Sequence, residues 1–284
     1  MQIKVITRAC VAAPLVLLST FVSAQIIEMR SGKETNESSL IHVLKSADIV
    51  LLGELHDNRL HHQLRGQLIA QFADAKWSIV SEHIPAPGKV VFRSDTKADL
   101  EAAGFDSQGW EWPTHQSLYD AIRAKDFSVV GGNLSKAEAR QIFLQGVSGL
   151  PERMAQTYAQ SRLNADAERA LDRDLIEGHC GQLPDKYLLR MRFAQRITDL
   201  SMTHVLLDNR PSVLVAGNGH VRKDYGVPQI LSSVTPVLNV VSVGFLEQGS
   251  DPKDLLQSVS GQYDFIWITE RTDRKDPCEN FKLK

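Results

Sequence analysis

A histidine stands three residues after a glycine at two distant points of this sequence, with a polar residue directly after each glycine. Gly53-Glu54-Leu55-His56 and Gly217-Asn218-Gly219-His220 are the two motifs, and Glu82-His83 lies between them in the chain. A carboxylate and an imidazole two residues apart can share a proton, act as a base and its orienter, or bind a metal ion. The alternative is that Glu54 and His56 only cap a helix and bond local backbone. The presence of Glu82 and His220 favours a functional site.

Short apolar runs rich in β-branched residues precede these motifs and predict buried strands. Helical patterns separate the runs, so the sequence predicts an α/β fold whose mainly parallel sheet is flanked by helices. The strands are expected at 48–52, 77–81, 127–130, 212–216, 238–245 and 263–268, and the helices at 60–72, 116–124, 136–143 and within 151–207. The stretch 151–207 is then a helical insertion between the third and fourth strands. A lid, a dimerisation element and a plain solvated cap are its alternative roles.

Polar residues stand at the carboxyl ends of four of these strands. Glu54 and His56 follow the first strand, Glu82 and His83 end the second, and Asn133 follows the third. Asn218 and His220 follow the fourth. Ligands of open parallel sheets bind in the crevice beyond the carboxyl ends of the strands. The sequence therefore predicts that the four clusters converge on one site.

The helix after the first motif is expected to begin near Arg59, with Asp57 or Asn58 as its cap. Its buried stripe is predicted to consist of Leu60, Leu64, Leu68 and Phe72. His61 falls inside this stripe and His62 near its edge, so each is either a ligand contact or a structural histidine.

Histidines and aromatic residues elsewhere have simpler interpretations. His42, His115 and His204 are expected to be structural, because no polar cluster surrounds them in the sequence. The segment Trp110-Glu111-Trp112 and the nearby Tyr119 either stack on a flat ligand or belong to the core.

The N-terminus has the pattern of a secretory signal peptide over residues 1–24. Lys4 and Arg8 precede an uncharged stretch at 9–22, and Val22-Ser23-Ala24 offers small residues for cleavage. The apolar run is too short for a bilayer span of about 20 residues and contains a proline. Cys10 lacks the preceding apolar segment that a lipid anchor requires. We therefore expect an exported protein with residues 25–284 as a single domain.

Export leaves two cysteines, Cys180 and Cys278, in an oxidising compartment, where an even count favours a disulfide. A thiolate ligand at Cys180, next to His179, is the alternative. The 34 acidic residues outnumber the 32 basic ones, which argues against a nucleic-acid partner. The sequence contains no Walker loop, Gly-x-Ser-x-Gly elbow or dinucleotide fingerprint, so those enzyme classes lose their main support.

The spaced motifs together resemble the ChaN-like haem-binding proteins, whose superfamily includes the Tiki metalloproteases and the erythromycin esterases. The matching segments are Gly53-Glu54-Leu55-His56-Asp57-Asn58 with His61-His62, Glu82, Gly132-Asn133-Leu134, His179-Cys180-Gly181, Ala194-Gln195 with Asp199 and Met202, and Gly217-Asn218-Gly219-His220-Val221-Arg222 with Gly226-Val227-Pro228. The resemblance implies a periplasmic or outer-membrane-associated protein of bacterial haem and iron uptake. It further implies a homodimer, tyrosine-ligated haem between its subunits, and an outer-membrane haem receptor system as partner.

The iron ligand stays unassigned, because no recognisable motif surrounds any of the five tyrosines. A phenolate is one of the few side chains that ligate haem iron. The candidates are Tyr119, Tyr158, Tyr187, Tyr225 and Tyr263.

Three functions are compatible with the sequence, and a haem-binding protein without turnover ranks first. Its expected ligand-binding residues are Glu54, His56, His62, Glu82, Asn133, Asn218, His220 and Arg222. The alternative is a hydrolase in which Glu54, His56, Glu82 and His220 activate water directly or through a divalent metal. The third is a protein that has lost its original activity and uses the former site only for contacts with other proteins.

Overall fold

A computed structural model describes residues 24–279, except residues 75, 94, 250, 275 and 277. All but the last residue of the expected signal peptide lie outside the described residues. The strands are β1 Gln25–Glu28, β2 Lys33–Thr35, β3 Ile49–Leu52, β4 Ser78–Pro85, β5 Lys89–Val90, β6 Ser128–Asn133, β7 Ser212–Val215, β8 Val240–Glu247 and β9 Phe265–Thr269. The helices are α1 Glu37–Lys45, α2 Arg59–Phe72, α3 Thr96–Ala102, α4 Gln116–Ala124, α5 Lys136–Gln145, α6 Glu152–Gln160, α7 Ala165–Gly178, α8 Asp185–Asp208, α9 Val227–Val234 and α10 Pro252–Ser258.

The described strands form one sheet in the order β2-β1-β9-β8-β3-β7-β4-β6-β5. The six strands from β9 to β6 in this order are mutually parallel, whereas β1 and β5 pair antiparallel with β9 and β6. The six parallel strands correspond to the six that the sequence predicts. The sequence missed β1, β2 and β5, which are short and lie at the two margins of the sheet.

Alternation along β3 shows how both faces of the sheet are covered. Val50 and Leu52 pack into one apolar cluster with residues of α1, α2 and α4. Ile49 and Leu51 pack into a second cluster with residues of α8 and α9. Successive side chains of a strand point to opposite faces, so an uninterrupted apolar strand needs helices on both sides. The predicted α/β architecture is confirmed.

Four helices, α5 to α8, separate β6 from β7, where the sequence predicts a helical insertion. Met202 and Leu206 near the end of α8 are fully buried against the sheet. The first half of α8 instead contacts the preceding helices, where Phe193 packs on Tyr158 of α6 and Arg192 pairs with Asp172 of α7. No helix among the described residues is long and apolar enough to cross a membrane.

A disulfide joins Cys180, just after α7, to Cys278 in the C-terminal tail, with the two Cα atoms 5.4 Å apart. This spacing is typical of disulfides. The predicted bridge is confirmed, and Cys180 is therefore not a free thiolate ligand.

Candidate functional site

The strands β3, β7, β4 and β6 are consecutive neighbours in the sheet and run in the same direction. Their carboxyl ends therefore meet at one edge, as the sequence predicts. Glu54 follows β3, Glu82 lies in the second half of β4, Asn133 ends β6, and His220 lies in the 3-10 turn after β7. Apart from Asn133, these residues line one cleft of about 880 Å³, together with His56, Asn218 and Arg222.

Glu54 is the centre of the first polar cluster and has a fully buried side chain. Its Oε1 atom lies 2.8 Å from Nδ1 of His56 and 3.0 Å from Nε2 of His83. Nε2 of His115 is 3.7 Å from the same oxygen. One carboxylate oxygen therefore faces three imidazole rings.

The other oxygen of Glu54, Oε2, faces the first turns of α2. It contacts Nη2 of Arg65 and lies 2.9 Å from Nδ1 of His62. Arg65 also donates a hydrogen bond to the carbonyl of Leu52 at the end of β3. Burial lowers the pKa of Arg65 to about 9, so this guanidinium keeps its proton at neutral pH and balances the buried carboxylate.

The buried residues of α2 differ in part from those that its periodicity predicts. Asn58 caps it by accepting hydrogen bonds from the amides of Leu60 and His61, as expected. The predicted buried stripe is wrong at Leu60, which is 38 % exposed, whereas His61, His62 and Arg65 are fully buried. The start of the helix lies beneath the polar cluster, so its inward face there is polar.

His62 takes part in the site from inside the protein. Its Nε2 atom lies 2.9 Å from the carbonyl of His56, and its Nδ1 faces Glu54. Burial lowers the pKa of His62 to about 4, so its ring is neutral at physiological pH. The ring is fully buried. It can therefore support the cluster, whereas its predicted contact with a ligand stays untested.

His83 was expected at this edge of the sheet, but neither it nor His115 was counted among the ligand-binding residues. His115 was expected to lack polar neighbours, and this is wrong, because its ring lies 4.4 Å from that of His83 and 4.0 Å from that of His62 between centroids. Burial lowers the pKa of both His83 and His115, so both rings are neutral. The ring of Trp110 covers the cluster, 5.0 Å from His56 and 4.7 Å from His83.

Glu82, His220 and Asp199 form a second polar cluster beside the first. Nδ1 of His220 lies 2.6 Å from Oδ1 of Asp199, and its Nε2 lies 3.2 Å from Oε1 of Glu82. The amide of Gly217 donates to the other oxygen of Glu82 at 2.7 Å. The two carboxylates raise the pKa of His220 well above its ordinary value despite burial. The imidazolium in turn keeps the pKa of Glu82 well below its usual range, against the effect of burial.

The remaining predicted site residues have partners within the protein. Asn133 donates to the carbonyl of Glu82, and Asn218 bonds both backbone groups of Phe245. Arg222 pairs with Asp224 and Asp174. Asn218 and Arg222 nevertheless line the 880 Å³ cleft, whereas Asn133 lines a neighbouring cleft of about 650 Å³ that shares Glu82.

The hydrolase alternative has its four residues in one place, since Glu54, His56, Glu82 and His220 all line the same cleft. Buried carboxylates beside imidazoles are groups that can transfer protons. The geometry is compatible with a hydrolase, whose activity stays a prediction.

The five tyrosines divide clearly by accessibility. Tyr119, Tyr225 and Tyr263 are buried, and burial raises the pKa of each phenol above its ordinary value. Tyr158 on α6 and Tyr187 on α8 are half-buried. Only these two lie at the surface, and both belong to the helical insertion.

The fold and this crevice define an α/β protein with a polar cleft at the carboxyl edge of its sheet. The family described as "Haem-binding uptake, Tiki superfamily, ChaN" matches residues 40–231, which is more than half of the chain. The chain belongs to this family.

Solved structures provide a second comparison. ChaN of Campylobacter jejuni, described as binding haem cofacially, is 20% identical, with 86% of this chain and 96% of that chain covered and a TM-score of 0.67. A Bacillus cereus protein is 11% identical over 83% of this chain and 92% of its own, and the erythromycin esterase EreC is 10% identical over 85% and 95%, each with a TM-score of 0.43. The likeness to the first of these structures supports the fold. No curated protein matches the sequence significantly.

Proposed function

We propose that this chain is an exported haem-binding protein that takes part in bacterial haem and iron uptake, in the periplasm or at the outer membrane. The observation that carries the proposal is the family match over residues 40–231. The signal-like pattern of residues 1–24 and the disulfide support an oxidising compartment. Haem is the proposed ligand, and a second copy of the chain and an outer-membrane haem receptor system are the proposed partners.

The resemblance implies a tyrosine as the iron ligand, and only Tyr158 and Tyr187 among the five are partly exposed. Tyr158 has the better surroundings for a flat apolar ligand. Its ring packs edge-on against Phe193 at 5.4 Å, and both border a shallow cavity with Leu189, which is 69% exposed. We therefore assign Tyr158 as the ligand.

The propionates of a haem also need positively charged partners, and the surface around Tyr158 has a cationic side chain. The guanidinium of Arg162 lies 5.5 Å from the centre of the Tyr158 ring, and its residue is exposed. Arg192 borders the cavity as well, but Asp172 and Glu168 already engage it. Arg162 is thus the proposed propionate partner. When bound, a haem held by a phenolate oxygen would supply a ferric iron centre.

The size of the cavity suggests why two copies of the chain would be needed. The cavity beside Tyr158 measures about 120 Å³, whereas pockets that enclose a drug-sized molecule measure roughly 300–1,000 Å³. This surface can cover one face of a haem but cannot enclose it. A second copy would cover the other face, in keeping with the proposed homodimer.

Hemin titration of the purified mature protein tests the haem proposal. We expect a saturable Soret band with the features of phenolate-bound ferric haem, and their loss in Tyr158→Phe. Tyr187→Phe is the matched control and should bind as the wild type does. If the wild type gives no saturable change, the haem proposal is refuted. Loss of these Soret features in Tyr187→Phe alone would refute only the assignment of Tyr158.

Export has a separate test in a bacterial host. The full chain should be recovered in the periplasmic fraction with a mass that corresponds to cleavage after Ala24. Replacement of Lys4 and Arg8 by Glu should leave uncleaved protein in the cytoplasm. Full-length protein in the cytoplasm of the wild-type strain would contradict export.

A further inference from the structure

Three imidazole rings surround one oxygen of Glu54 in an arrangement that the haem proposal does not use. Nδ1 of His56 and Nε2 of His83 lie within 3.0 Å of Oε1, and Nε2 of His115 lies within 3.7 Å. One ligand-type atom from each of the four residues lies within 4.8 Å of all the others. A carboxylate with three imidazoles is a donor set that zinc accepts.

His115 has no structural reason to be polar. Its side chain is 1 % exposed, and neither ring nitrogen has a hydrogen-bond partner among the described residues. A buried imidazole without a partner costs roughly 1–3 kcal/mol, and such groups are rare in folded proteins. A ligand between His115 and Glu54 would compensate that cost.

The outer partners of the cluster orient its atoms toward a common centre. Nδ1 of His83 lies 3.0 Å from the hydroxyl of Tyr119, which leaves Nε2 directed at Glu54. Arg65 contacts the second oxygen of Glu54, so Oε1 alone faces the three rings. Partners that fix the orientation of ligating histidines and carboxylates are typical of protein metal sites.

The spacing of the atoms agrees with a tetrahedral ion. Ligands at 2.0–2.1 Å from zinc in tetrahedral geometry lie about 3.3 Å from each other. The three distances from Oε1 of Glu54 to the imidazole nitrogens are 2.8, 3.0 and 3.7 Å and bracket that value. Small movements of the rings would therefore complete the site.

We propose that Glu54, His56, His83 and His115 together bind one Zn²⁺ ion in this chain. The site differs from the hydrolase set that the sequence predicts, since Glu82 and His220 are engaged with each other and with Asp199. The side chain of His56 is 47 % exposed and provides the path by which the ion enters from the cleft. The proposal does not depend on haem binding by Tyr158.

Metal titration of the full mature chain, purified without hemin and stripped with a chelator, tests the site. We expect one Zn²⁺ per chain by competition with a fluorescent chelator, and intense visible bands of four-coordinate cobalt when Co²⁺ replaces the spectroscopically silent zinc. His115→Gln should weaken Zn²⁺ binding on the order of 100-fold or more, since loss of an outer partner alone costs 10–100-fold. It should abolish the cobalt bands as well.

Matched variants separate this site from other sources of binding. His42→Gln removes an exposed histidine of α1 and should leave affinity and cobalt spectrum unchanged. His56→Gln, at a half-exposed position, is the second test if His115→Gln fails to fold by circular dichroism. The proposal is overturned if the wild type binds no stoichiometric Zn²⁺, if these ligand variants bind as the wild type does, or if a His220→Gln variant that circular dichroism shows to be folded is the only variant to lose the ion.

Discussion

Replacement of His220 by glutamine should strongly destabilise the protein, because His220 lies between two buried carboxylates. The substitution keeps most of the side-chain volume but removes the positive charge that Asp199 and Glu82 share. The two contacts are 2.6 and 3.2 Å long, and hydrogen bonds with charged groups contribute about 1.5–3 kcal/mol each. Removing one partner of a buried ion pair costs about 3–5 kcal/mol. We expect a loss of about 4 kcal/mol in the free energy of unfolding.

Urea unfolding near pH 6, followed by circular dichroism, measures this loss. With a slope of about 2 kcal/mol per molar urea, the midpoint should fall by about 2 M. His204→Gln is the control. His204 is a half-buried histidine that contacts Thr157 and not a carboxylate cluster, so we expect a change of about 1 kcal/mol or less. Adding Glu82→Gln to His220→Gln should recover part of the loss, because one unpaired carboxylate is removed.

The pH dependence of the difference in unfolding free energy between the wild type and His220→Gln tests the charge on His220. Its pKa in the folded protein is raised well above 6.5 by the two carboxylates. Its contribution is therefore complete below pH 6.5 and is lost as the pH rises through the folded pKa. The difference in unfolding free energy between the wild type and His220→Gln should become smaller at alkaline pH. A loss below about 1 kcal/mol near pH 6, or a gap that widens with pH, would refute this account of His220 as a buried cation.

Three further predictions concern stability and use the same unfolding assay. Reduction of the disulfide, whose cysteines are 98 residues apart, should cost about 2–5 kcal/mol in the free energy of unfolding, measured with and without dithiothreitol. Gly53→Ala should cost about 1–3 kcal/mol, because its Cβ would lie 2.1 Å from Oδ1 of Asn218, whereas the control Gly178→Ala has open space and should cost nothing. Asn58→Ala should cost about 0.5–2 kcal/mol, because two amides at the start of α2 lose their cap; an unchanged midpoint would contradict this role.

The parallel strands could be predicted from the sequence because they are buried on both faces. Each of them contains a short apolar run rich in β-branched residues, which is typical of a buried strand in an α/β protein. The strands β2 and β5 were missed because they have only three and two residues, most of them exposed. Such short segments show no periodic pattern. Their place depends on neighbours in the sheet rather than on their own composition.

The candidate site could be predicted only in part. Glu54, His56, Glu82 and His220 were recognisable because glycine-flanked polar residues after apolar runs indicate the carboxyl edge of a sheet. His115 was missed, since nothing around it in the chain distinguishes it from a structural histidine. Its position at the start of α4 brings it against Glu54 only when that helix packs beside α2.

The sequence by itself determined the local properties of this protein: its six parallel strands, the cap at Asn58, the glycine-flanked motifs and the pairing of Cys180 with Cys278. The strands, the cap and the motifs follow from interactions between near neighbours, and two cysteines can form only one pair. Tertiary structure decided which imidazoles face Glu54 and which tyrosines reach the surface. Burial and distances between remote residues depend on how whole helices pack, and no local pattern encodes that packing.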